Sequence, residues 1–255
     1  MSAPEAWHVT RTLRAMELLA VRPRSAPELA EALEVHVRTA RRILKRLDGE
    51  GYVMLTDDRR RRYRPTMRVV ALAGQVVERA ELPVTAMEHV TGLRQRLAMS
   101  AHLCVPSHLF ALCLVHDQGD GCGPCRPHLR ELVPCHCTAA GKALLAWREG
   151  WRQAVLEQPL TSFTERTNTG PESLRRELAR TVARGYSIED REYEGGTRGL
   201  AAPVFDETGE AMAALAVVAP VEQLQADRYS EVGATLMAAA SSLSADLGHA
   251  PALAA

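Results

Sequence analysis

The stretch Val37-Arg-Thr-Ala-Arg-Arg-Ile-Leu-Lys-Arg-Leu-Asp-Gly-Glu50 decides how the first part of this chain is read. At 100° per residue, Val37, Ala40, Ile43, Leu44 and Leu47 fall in one arc, and Arg38, Arg41, Arg42, Lys45 and Arg46 lie opposite it. The spacing predicts a helix with one face to bury and one cationic face. Upstream, Ser25-Ala-Pro-Glu28 has the form of a capping box, with the serine oxygen taking the N3 amide, Glu28 reaching back and Pro27 in the first turn. A short helix over Pro27–Glu34 follows from it. Before that, Leu13, Met16, Leu19 and Ala20 recur at helical spacing through Arg11–Ala20, closing near Pro23. Downstream, Gly51–Thr56 and Arg61–Arg64 flank Asp57-Asp58, a hairpin that carries Arg59, Arg60, Arg61 and Arg62 at or near its tip.

Two helices, a third with a basic face and an arginine-tipped ribbon make a winged helix-turn-helix in outline, over residues 1–65. Its partner is expected to be double-stranded DNA. Arg38, Thr39, Arg41 and Arg42 occupy the first turn and a half of the third helix, where side chains reach base edges, and Lys45 extends the same face. The hairpin arginines suit phosphate or minor-groove contact. Charge agrees: the chain is neutral overall, yet residues 1–64 hold 14 Arg and Lys against 9 Asp and Glu, and the remainder 17 against 22. A solvated basic face is the plainer reading, but it leaves the coincidence of these four elements unexplained.

Outward from this module, 255 residues with 46% hydrophobic content allow about two domains with real cores. No run reaches the ~18 apolar residues of a spanning helix, and the start lacks the apolar stretch of a leader, so a cytoplasmic protein with no membrane partner is expected. Residues 66–82 read as a linker helix whose excess of apolar positions (Val69, Val70, Leu72, Ala73, Val76, Val77) suits pairing with another subunit, a dimer or a tetramer. Over residues 83–250, helical and strand-like runs alternate irregularly, with Asp206-Glu-Thr-Gly209 as a hairpin turn, which predicts an α+β domain with one antiparallel sheet. No P-loop, dinucleotide fingerprint, His-Glu-x-x-His or Gly-x-Ser-x-Gly is present, so the chain is not read as an enzyme.

The segments Leu29-Ala-Glu-Ala-Leu33, Arg42-Ile-Leu44 and Leu47-Asp-Gly-Glu-Gly-Tyr-Val53, then Cys137-Thr-Ala-Ala-Gly-Lys-Ala-Leu-Leu145, Ala183–Asp190 running into Glu194–Val204, and Phe205–Val218, stand in the order and spacing of one family. Along nearly its whole length the chain resembles the IclR family of bacterial transcriptional regulators. The resemblance implies a GAF-like second domain that holds a small-molecule effector, often a carboxylate, and a connector helix that contributes to a dimer on an inverted-repeat operator. It places the effector site at Cys137, Thr138, Ala139 and Gly141, with Asp190, Glu192 and Arg198 from the later loop. From the residues alone, Thr138–Gly141 set backbone N–H groups at a helix start, which suits an anion, while Arg198 can equally pair with a neighbouring glutamate.

The cysteines depart from that pattern. Cys122-Gly-Pro-Cys125 and Cys135-His-Cys137 are ten residues apart, with His128 between them. Four thiolates chelating zinc or another metal is one reading, although Cys-x-Cys is an unusual half of a zinc site. A redox-responsive dithiol is a second, and a thiol oxidoreductase at Cys122 and Cys125 the best enzymatic rival, though that rival does not account for the basic module. Cys104 and Cys113, on strand-like runs, read as small buried hydrophobes.

Overall fold

The computed structural model describes residues 3–56, 61–78, 81–119 and 129–250, divided between two units, Met1–Ala80 and Glu81–Ala255. In the first, α1 (Ala3–Val21), α2 (Ala26–Ala32) and α3 (Val37–Gly49) precede a two-stranded ribbon, β1 (Val53–Leu55) and β2 (Tyr63–Pro65), and then α4 (Met67–Glu78). The capping box forms, with the Ser25 N–H donating to Glu28 Oε2 at 2.6 Å and the Glu28 N–H to Ser25 Oγ at 3.4 Å. His36 caps α3 by accepting the Arg38 N–H on Nδ1 at 3.2 Å. Ala40, Ile43, Leu44 and Leu47 are buried with Leu29, Leu33 and Val53, as the periodicity of α3 predicts. In α1 the expected arc is corrected: Ala15 and Leu19 are buried, Ala20 is exposed and Leu13 is 62% exposed. That helix is apolar on more than one side, so its packing partners, not its composition, choose the inward face.

The second unit is built on a six-stranded sheet, antiparallel throughout, in the order β5-β4-β3-β8-β7-β6. The strands are β3 (Ser100–Ser107), β4 (Phe110–Asp117), β5 (Leu132–Pro134), β6 (Ser187–Asp190), β7 (Thr197–Phe205) and β8 (Ala211–Pro220). Alternation along β8 sends Ala213, Leu215 and Val217 to a core shared with α5 (Glu81–Leu97) and α9 (Tyr229–Asp246), and Ala214 and Ala216 to one shared with α6 (Ala139–Trp147), α7 (Glu149–Leu156) and α8 (Pro171–Arg184). This is the expected α+β class. The second face is lined by small residues because α6 lies close on it: a Cβ on Gly199 would stand 3.2 Å from that of Ala139.

One irregularity positions the site. The β3–β4 register shifts between Leu103 and Cys104, so Leu103 faces Val115 but Cys104 faces Cys113, leaving Leu114 as the extra residue. Ala111 and Cys113 turn toward α6, Val115 turns toward α5 and α9, and His116 comes back to the α6 side.

Candidate functional site

Helix α3 exposes Arg38, Arg41, Arg42, Lys45 and Arg46 on the side opposite its buried residues, with Thr39 half-buried at the border. Arg41 and Lys45 share a groove with Arg61 and Tyr63 of the hairpin. Arg61 is exposed and stands at φ +48°, a left-handed backbone at the near end of the turn. Arg62 differs from its neighbours: it is half-buried and its Nη2 reaches Glu28 Oε1 at 3.4 Å, tying the ribbon to the α2 cap. Arg59 and Arg60 lie outside the described residues, as do Cys122, Cys125 and His128.

In the second unit, a cleft partly open to solvent lies between the small-residue face of the sheet and the start of α6. Of the residues expected at an effector site, it is lined by Thr138 and Ala139. Thr138 is the N-cap: its Oγ1 accepts the Gly141 N–H at 3.3 Å and donates to Pro134 O at 2.6 Å. The amides of Ala139 and Ala140, in the first turn, have no acceptor within the helix and stand at the wall. Cys137 is fully buried behind them, and Gly141 is there for packing, since a Cβ would sit 2.3 Å from Cys135 Cα.

The strand period redistributes the acidic residues. Ser187 donates to Ala139 O at 2.6 Å, so Ser187 and Glu189 face α6, whereas Ile188 packs in the α5–α9 core and Asp190 shares its side. Asp190 therefore points away from the cleft and pairs with Arg198 Nε at 2.6 Å and Arg166 at 2.5 Å. Burial opposes ionisation of Asp190, but the hydrogen bond and charge of Arg198 outweigh it and hold its carboxyl below the usual range. The buried acidic group at the cleft is Glu189, 4% exposed, which the sequence reading passed over. Its Oε1 accepts the Glu192 N–H at 2.7 Å and the Tyr193 N–H at 3.3 Å, two bonds that leave Oε2 out. Burial pushes Glu189 up to about 7.

Glu192 is bound to the ammonium of Lys142, which is only 1% exposed. This pair neutralises the interior beneath the cleft. The remaining polar lining comes from Ser100, His102, His116, Tyr193, Glu194 and Thr197, with no lysine or arginine among the described lining residues.

Cys135 donates to Leu109 O at 3.3 Å, and burial raises the thiols of Cys135 and Cys137 far above the usual range, so both are held as protonated thiols. Among the described residues no three His, Cys, Asp or Glu side chains gather to hold a metal ion. No helix of the described residues is long and apolar enough to cross a membrane.

Residues 126–245 match the family described as bacterial transcriptional regulator IclR C-terminal. A relative in Cupriavidus necator, the probable transcriptional regulator SauR, is 32% identical over 225 residues, covering 86% of this chain and 88% of the relative. Among solved structures, an IclR homologue of Microbacterium hydrocarbonoxydans complexed with 4-hydroxybenzoate superposes with a TM-score of 0.78 at 27% identity, covering 94% of this chain and 98% of that one. The transcriptional regulator of Alicyclobacillus acidocaldarius superposes with a TM-score of 0.79 at 22% identity over 96% and 99% of the two chains, which speaks to the fold.

Proposed function

Because this chain belongs to the IclR family of bacterial transcriptional regulators, we propose that α3 and the β1–β2 hairpin are its operator-reading surface and that the cleft at α6 is its effector site. The observation that carries the first assignment is the division of α3: four apolar residues are sealed in the core while Arg38, Arg41, Arg42 and Lys45 stand exposed on one side, with Thr39 at their edge. That is the geometry of a helix that docks with its back and reads a major groove with its front. Arg59, Arg60 and Arg61 grip the backbone beside it, and Arg62 orients the ribbon through Glu28.

The effector class follows from the two ends of the cleft. The α6 amides at Ala139 and Ala140 suit a carboxylate, and Glu189 Oε2 suits a hydroxyl or other donor. A small hydroxy acid meets both, and 4-hydroxybenzoate, bound in the Microbacterium relative, is the first probe. Asp190, Arg198 and Glu192 support the loop rather than touch the ligand. Such a ligand acts only by binding two conformations unequally.

Genomic fragments captured on the purified full-length protein test the reading. Enrichment of one inverted repeat is expected, and capture with no common sequence would overturn it.

A further inference from the structure

We propose that Cys104 and Cys113 form a two-electron redox site in the wall of the cleft, closing to a disulfide when a hydroperoxide enters. The two residues face each other across β3 and β4, line the cleft, and are 2% and 1% exposed. The Cys113 N–H donates to Glu131 O at 3.3 Å and its carbonyl accepts the Arg130 N–H at 2.8 Å, so its backbone polar groups are turned toward the β5 side. Toward β3 it therefore forms a pair without hydrogen bonds, the kind in which opposed Cα atoms lie about 4.5 Å apart. A disulfide needs a Cα separation of roughly 4.4–6.8 Å, so closure asks for little backbone movement. The bulge at Leu114 is what turns Cys113 onto the face that Cys104 occupies. The Cys113 thiol beside it and burial raise Cys104 well above the usual thiol range, and Cys113 Sγ donates to Val115 O at 3.5 Å.

The chemistry balances with one peroxide. With Cys113 as the attacking sulfur, its thiolate takes the terminal oxygen of the hydroperoxide, the O–O bond breaks, and the alcohol (or water, for hydrogen peroxide) leaves with the proton from Cys113. The Cys104 sulfur then displaces hydroxide from the Cys113 sulfenic acid, and that hydroxide departs as water with the Cys104 proton. Two thiols lose two electrons and the peroxide gains them. The neighbouring Cys113 and burial hold Cys104 protonated, so its closing attack on the sulfenic acid is slow at neutral pH and quickens as pH rises. Only the consequence of the bond for operator affinity rests on the effector-site reading.

The test treats full-length wild-type protein with hydrogen peroxide, alkylates it in denaturant, and digests it with chymotrypsin, which cuts after Phe110 between the two cysteines. The expected result is a linked Cys104–Cys113 peptide pair, gaining in yield from pH 7 to pH 9 and abolished by dithiothreitol. Recovery of both as free alkylated thiols, or either one linked to Cys122, Cys125, Cys135 or Cys137, would overturn the proposal. The readout is a mass on the unmutated chain, so it needs no variant to fold. A disulfide formed in protein that enriches no operator would leave this site standing while the regulator reading falls.

Discussion

Glu189 illustrates how burial alone makes a residue informative. With its folded-state value at about 7 against an ordinary 4.5, the native chain keeps a proton that the unfolded chain has lost between those values. Stability is therefore greatest below about pH 4.5 for this group and falls as pH rises through 7, by about 3 kcal/mol in all. The Glu189→Gln variant should lose most of that slope, read as the difference in urea midpoint between pH 5 and pH 8; an unchanged slope would refute the assignment. Glu192, also raised by burial, leaves a smaller slope of the same sign. Beside it, Lys142→Met strands the Glu192 carboxylate in the interior and should cost about 3–5 kcal/mol, with Lys142→Met combined with Glu192→Gln recovering part of it. Equal losses in the single and double variants would show that the pair does not act as one.

At the scale of elements, α3 and the β4 bulge differ in how local their causes are. The apolar period of α3 and the Ser25–Glu28 capping box are complete within a few residues, and both form as expected. Arg42→Ala, on the exposed front of α3, should weaken operator binding more than binding to random DNA, by about 1–3 kcal/mol if it reads a base. Equal weakening on both would assign it to phosphate. The bulge has no such local mark. It shows only in the pairing of β4 with β3, and it puts Cys113 and His116, three residues apart, on one wall.

For the whole molecule, α4 leaves Met67, Val70, Leu72 and Val76 more than half exposed, and α1 leaves Val9 and Leu13 so. Apolar side chains in such number suit cover by a second copy of the chain. If this face pairs two copies, the unmutated protein should sediment as a dimer in analytical ultracentrifugation and Val70→Asp with Val76→Asp as a monomer; a monomeric unmutated protein, or a dimer that persists in the variant, would refute pairing through this face. The winged helix-turn-helix, the α+β class and the family were all legible in the linear chain, because helical period, caps and motif spacing are local or strictly ordered properties. Local pattern did not decide which residue of a neighbouring pair faces the cleft. Asp190 and Glu189 differ by one position, and the strand register, which depends on β7 and β8 far along the chain, sends one to Arg198 and the other to the cavity. The burial of Lys142 and the meeting of Cys104 with Cys113 likewise follow from α6 docking on the sheet and from strand pairing, because a side chain's solvent and partners are set by what packs against it, not by its neighbours in sequence.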